Sequence, residues 1–297
     1  MSPDAVVAVA AGKAGTGKTL LATSLALALH ERTPGLVSVL DCDAEEPNAH
    51  LLLRPAWQSE QAVCTRVPTV DAARCTHCGV CAEACHTNAI ADMGETLLVF
   101  EDLCSGCGLC AHLCPTRAID EISHAVGTVR IGRTQEGLRV VSGCLALGQH
   151  RATPVIRAVL AEAVAGQVTV IDCPPGTACP MQMSVERAEL CWLVTEPTPF
   201  GRSDLLGARA TCDSLGVPSV VVVNRDGIGA SGSAQAPDGR VVLRIPHDRR
   251  IAEAYARGLT LAAAQPEWRT HLLAAWDQAL QSRHMAALRA PGVAWRG

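Results

Sequence analysis

Two sets of residues in this 297-residue chain are spaced for chemistry. The first is cysteine. The stretch "CTHCGVCAEACHTNAI" (75–90) returns twenty-nine positions later as "CSGCGLCAHLCPTRAI" (104–119), so Cys75, Cys78, Cys81 and Cys85 map onto Cys104, Cys107, Cys110 and Cys114. Clustered thiols at such short intervals in a long chain point to metal ligation rather than to disulfides. The second set is "GKAGTGKT" (12–19), which follows an apolar run and opens a helical pattern, the context a phosphate-binding loop requires. Gly12, Gly15, Thr16 and Gly17 would give the backbone N–H groups a close approach to a nucleotide's phosphates, helped by the positive end of the helix. Lys18 is placed to reach the β- and γ-phosphates, and Thr19 to set its hydroxyl on Mg²⁺.

Each cysteine half reads C-x₂-C-x₂-C-x₃-C and resembles the run of bacterial two-cluster ferredoxins. That resemblance implies that the fourth cysteines are exchanged between halves. Cys75, Cys78, Cys81 and Cys114 would hold one [4Fe–4S] cluster, and Cys104, Cys107, Cys110 and Cys85 the other. Zinc is the rival, although zinc knuckles lack the doubled pattern. One position departs from the ferredoxin run: His86 stands where the second half has Pro115. Either His86 adds a donor near a cluster, raising its potential, or it simply faces solvent.

These residues need a scaffold, and the surrounding sequence supplies one. Residues 5–32 read as buried strand, glycine turn and a helix apolar around most of its girth. "GLVSVLDCD", "GLRVVSGCL", "QVTVIDCP", "LCWLVTE" and "PSVVVVN" read as further strands, and "PVIRAVLAEAVA" as an amphipathic helix. The expected fold is an α/β doubly wound, mostly parallel sheet. A small α+β ferredoxin domain (64–124) is expected to interrupt a P-loop domain formed by 1–63 and 125–297, with residues 55–63 expected as a loop. Trp268, Leu272, Leu273, Trp276 and Leu280 share one helix face in the tail, fitting a docked terminal helix better than a membrane-surface one. A net charge of −4 argues against nucleic-acid binding. No apolar run approaches the ~18 residues of a spanning helix, and the reading is a cytoplasmic protein.

Lys13, a second lysine at the start of the loop, makes the motif similar to the deviant Walker A of the MinD/ParA class, which includes the nitrogenase iron protein. The resemblance extends through "LDCDAEEPN" (40–48), "VIDCPPG" (170–176), "VVVNRDG" (221–227) and "IPHDRRIAEAYARG" (245–258). Ala14 and Leu20 depart from the class, which has glycine and often a second threonine there. The resemblance implies an ATPase working as a homodimer, with Lys13 reaching the nucleotide of the partner subunit. It also implies Asp43 in switch I as base or water-orienting group, Asp172 on Mg²⁺ through water, and Gly176 as the switch II hinge. Asn224 would read the adenine edge, unless it is only a strand-end turn residue.

Seven cysteines remain. Cys42, Cys64, Cys173, Cys191 and Cys212 read as buried small hydrophobes. Cys144 lies twenty-eight residues before Asp172 and Cys179 seven after it, spacings similar to those of the subunit-bridging cluster of the nitrogenase iron protein. A third [4Fe–4S] between subunits is one expectation for them, and two buried thiols the other. The whole implies an ATPase coupling nucleotide-driven rearrangement to electron transfer toward an unknown redox or metalloprotein partner. A metallocluster assembly factor is the alternative.

Overall fold

The structure is a computed structural model that describes residues 5–228 and 241–287, with side chains to residue 281. Its strands are β1 (Ala5–Ala10), β2 (Val37–Asp41), β3 (Ala56–Val70), β4 (Ile90–Asp92), β5 (Leu97–Val99), β6 (Ile119–Arg133), β7 (Arg139–Leu145), β8 (Val168–Asp172), β9 (Leu190–Thr195), β10 (Ser219–Asp226) and β11 (Val241–Pro246). Its helices are α1 (Lys18–Arg32), α2 (Ala49–Leu53), α3 (Val80–Glu83), α4 (Leu109–Leu113), α5 (Thr153–Leu160), α6 (Cys179–Glu186), α7 (Pro199–Ser214), α8 (Arg249–Ala256), α9 (Leu261–Ala264) and α10 (Trp268–Ala287).

Nine strands form one sheet in the order β11-β10-β9-β1-β8-β2-β7-β6-β3. All pairings from β11 across to β7 are parallel, while β6 and β3 add to the far edge antiparallel. The parallel strands are continuous runs of Val, Ile, Leu and Ala because both faces are covered. Leu21, Leu25, Trp192 and Trp276 fill one face under α1 and α10; Leu40, Ile156, Ile171 and Met181 fill the other under α5 and α6. Helix α1 is buried around most of its girth because α9 and α10 cover its outer side, Ser24 Oγ accepting from the Leu261 N–H at 3.0 Å. The tail docks as expected, with Trp268, Leu272 and Trp276 buried. Among the described residues no helix is long and apolar enough to cross a membrane.

The stretch read as a loop, 55–63, is instead mostly strand. β3 pairs with β6 along its full length, from Ala56↔Arg133 to Val70↔Ile119. Its first seven residues, AWQSEQA, are exposed, so no buried face marks them as strand. Backbone pairing and the Glu60–Arg130 ion pair at 3.3 Å hold them, and the mostly polar side chains suit an open sheet edge. Residues 127–133 of β6 also pair with β7. The remainder of β6 and its β3 partners run on as a two-stranded ribbon carrying the cysteine lobe, and both strands pass through the positions 63/64 and 124/125 where a domain boundary was read.

The lobe repeats itself in space. Gly79 (φ 76°) and Gly108 (φ 71°) stand at the starts of α3 and α4. Asn88 and Arg117 both adopt the left-handed region, letting the Ala89 and Ala118 N–H groups reach the Cys85 and Cys114 sulfurs at 3.3 and 3.2 Å. The sequence duplication is thus a duplication of backbone conformation.

Candidate nucleotide and iron–sulfur sites

A cleft of about 400 Å³ opens at the C-terminal ends of the parallel strands, where α/β sheets bind ligands. Gly15, Gly17, Lys18 and Thr19 form its floor, with Asp43, Asn48, Asn224 and the 246–255 segment around it. Helix α1 starts at Lys18 with no side-chain cap and no acid in its first turn, leaving its N–H groups and positive dipole for an anion. The Thr16 hydroxyl is buried without a partner. Gly17 (φ 97°) cannot carry a Cβ, which would collide with the Asn224 amide. That amide donates to Thr16 O at 2.7 Å, so Asn224 braces the loop from below. Gly12 has a different constraint: a Cβ there would strike the Asp204 carbonyl of α7, a matter of packing.

Two acids, Asp172 and Asp43, face this loop, and a third, Asp41, supports the segment that carries Asp43. Asp172 ends β8 fully buried, and burial pushes its carboxyl up while Thr19 and Lys18 pull it back. Thr19 lies close, yet neither Asp172 oxygen makes a well-formed hydrogen bond. A buried carboxylate left without a full partner beside the Thr19 hydroxyl fits a Mg²⁺ ion. Asp41, at the end of β2, was not singled out in the sequence. It is wholly buried, is raised by burial and then by Asp172, and accepts from the Asp43 and Ala49 N–H groups at 3.2 and 3.1 Å. It shapes the loop that presents Asp43. Burial pushes Asp43 itself up to about 6, against the pull of Lys18. Gly176 (φ 94°) has open space around it, and its N–H bonds Ala11 O at 3.0 Å, tying the segment after β8 to β1. Lys13 is held by Glu196 at 3.3 Å, and Glu196 also pairs with Arg225 on the cleft rim.

The cysteines of the lobe surround two hollows. One is lined by Cys75, Cys78, Cys81 and Cys114, the other by Cys85, Cys104, Cys107 and Cys110. Each is three cysteines from one half and one from the other, as the ferredoxin spacing implies. A mononuclear zinc needs its ligands at about 2.0–2.3 Å from one point, and among the described residues no three His, Cys, Asp or Glu side chains converge that way. Thiols set around a hollow fit a cluster. Gly106 and Cys104 provide a further match, the Gly106 N–H pointing to Cys104 Sγ at 3.4 Å.

The model of the LdpA Fe-S cluster-binding domain matches residues 80–125, and that of a 4Fe-4S binding domain matches residues 67–90. Protein MJ0578 of Methanocaldococcus jannaschii is 31% identical over 224 residues, 75% of this chain and 78% of that one. MJ0579 of the same organism is 28% identical over 262 residues, 87% and 91% of the two chains. The chain belongs to the MJ0578 family. Its fold is that of the MinD/ParA P-loop ATPases with an iron–sulfur domain. The septum site-determining protein MinD of Pyrococcus horikoshii, solved with Mg-ADP, superposes with a TM-score of 0.57 at 19% identity, covering 97% of this chain and 99% of that one.

Within this MJ0578-family chain, the fold gathers Lys18, Thr19, Asp43, Asp172 and Asn224 at one cleft, with Lys13 beside it. It does not gather every cysteine. Cys144 is half-buried near the end of β7, donating weakly to Leu145 O at 3.5 Å, and Cys179 is exposed at the start of α6. Cys179 is therefore not the buried thiol of one expectation, while Cys144 is only partly buried. Cys42, Cys173, Cys191 and Cys212 are buried as expected, but Cys64 is exposed on β3. Asp41 had a signal in "LDCD", two acids at one strand end; Glu196 had none, because its role depends on Lys13 folding across to it.

Proposed function

We propose that the chain binds Mg-ATP at the P-loop, hydrolyses it as a homodimer, and uses the nucleotide cycle to control electron delivery from its iron–sulfur domain to a protein partner. Residues 64–124 serve as the ferredoxin domain and the rest as the ATPase. Lys18, the α1 N–H groups and Thr16 hold phosphates; Thr19 and Asp172 hold Mg²⁺, in line with the Mg-ADP of the horikoshii MinD. Asp43 orients or deprotonates the attacking water, and Lys13 leaves Glu196 to reach the partner subunit's nucleotide. Asn224 releases Thr16 O to contact the base. Bound clusters supply reversible one-electron storage; the cysteines position them and the ribbon fixes them to the sheet. The observation that carries the reading is topological. β6 of the ribbon pairs with β7, and β7 pairs with β2, the strand leading into Asp43.

One observation favours cluster delivery as a second reading: Cys179 is exposed on the segment that follows Asp172 and Gly176. An exposed thiol, with Cys144 and the same two thiols of a second subunit, would hold a bridging cluster open to transfer, as an assembly factor requires. Anaerobic protein, assayed for iron, sulfide and ATP turnover with and without an electron acceptor, tests both. Zinc in place of iron, or no nucleotide binding, would sink the proposal.

A further inference from the structure

Switch I touches the cysteine lobe through a continuous series of contacts. Ala44, next to Asp43, accepts from the Leu145 N–H at 2.8 Å, and the next N–H, of Ala146, donates to Val126 O at 3.0 Å. The chain then turns, the Gln149 N–H bonding back to Ala146 O at 3.1 Å. The Gln149 side-chain amide reaches the lobe, donating to Asp102 Oδ1 at 2.7 Å and to His124 Nε2 at 3.2 Å. His124 Nδ1 lies 2.7 Å from Glu101 Oε2. A single neutral tautomer satisfies the whole clasp: Nε2 accepts from Gln149 and Nδ1–H donates to Glu101.

The clasp closes on one hollow only. Glu101 and Asp102 form the single turn (101–103) before Cys104, and the Glu101 carbonyl accepts the Cys104 N–H at 3.1 Å. Cys104 packs with Cys85 and Val67, and Gly106 lies against the Arg66 backbone, near the body end of the ribbon. The Cys75 hollow sits farther out, with Val70 and Ile119. Between the two ends, β7 is packed tightly on α5, since a Cβ at Gly143 would meet Val155 and Val159. The loop beyond β7 has more freedom, with Leu147 wholly exposed and Gly148 at φ 82°. Ala44 thus meets the chain at Leu145, where the tightly packed strand ends and the freer loop begins.

We infer that Gln149 is the positioning residue through which the nucleotide state of switch I reaches the Cys85/Cys104/Cys107/Cys110 set, making the two four-cysteine sets unequal in their response. The inference rests on nucleotide binding at the P-loop as proposed above. Gln149→Ala removes the amide, and Gln149→Glu keeps its shape but replaces the donors with a carboxylate facing Asp102. Hydrogen–deuterium exchange on the full chain, with and without a non-hydrolysable Mg-ATP analogue, reads the coupling without depending on the clusters. In the wild type, nucleotide should change exchange at residues 101–104 roughly fivefold, the ratio one net hydrogen bond sustains. Both variants should lose that change while keeping nucleotide affinity and the response at 145–146. In reduced holoprotein, nucleotide should shift the EPR signal that Cys107→Ser removes and leave the signal that Cys78→Ser removes, and Gln149→Ala should abolish the shift. Variants that respond like the wild type, or a wild type whose residues 101–104 ignore bound nucleotide, overturn the inference. Absence of nucleotide binding, measured separately, defeats the functional reading and the coupling with it.

Discussion

Lys13 and Lys18 are five residues apart and live in different surroundings. Lys18 is 6% exposed over the α1 N-terminus; Lys13 is held on Glu196 at the rim. Lys18→Ala should weaken Mg-nucleotide binding by about 10²-fold, the scale of a lost charge-assisted contact, as titration calorimetry would register. Lys13→Ala should leave affinity within about threefold but lower turnover on the order of 10³-fold, as loss of a charge supplied across an interface does; steady-state hydrolysis and sedimentation would show it. Asp43 gives a pH signature. Its carboxyl is raised to about 6 in the fold from an ordinary 3.8. Ionised Asp43 therefore costs the nucleotide-free fold stability as pH rises from about 4 through 6. Asn, which stays neutral, avoids that cost. Asp43→Asn should melt higher than the wild type above pH 6, with the difference vanishing below about pH 4. Equal melting curves at every pH would remove Asp43 from the half-buried, partly desolvated position it holds at the cleft.

At the scale of elements, the parallel strands were legible because burial on both faces leaves an unbroken apolar run. The two cysteine halves were legible because their spacing is dictated by the ligand. The outer half of β3 was hidden: pairing to β6 is a property of backbone groups, and its side chains remain in water. Gly12 was legible as a loop glycine but not as a packing one, since its constraint comes from Asp204, far along the chain. Because each hollow is lined by its own four cysteines, the two should be separable by mutation. Cys107→Ser should cost the protein about four of eight irons per chain while ATP binding persists. Loss of all eight would mean the two hollows fold as one unit.

For the whole molecule, subunit number and iron number are linked. If Cys144 and Cys179 of two chains share a cluster, the dimer holds about twenty irons rather than sixteen, and Cys179→Ser returns it to sixteen. Iron assays on the anaerobic wild type and variant decide this, and equal counts would leave the exposed thiol without a metal. The ribbon that carries the lobe has a further consequence. Arg66 and Ser123 face each other across it in direct register. Replacing residues 67–122 by Asn-Gly, the dipeptide suited to a two-residue hairpin, should leave an iron-free chain that still binds nucleotide and shows β3–β6 exchange protection. The metal lobe is thus a cassette at a hairpin tip. Both its ends leave the sheet at one point, so a lineage can acquire or shed the iron–sulfur lobe in one splice while the sheet beneath it keeps every strand in order.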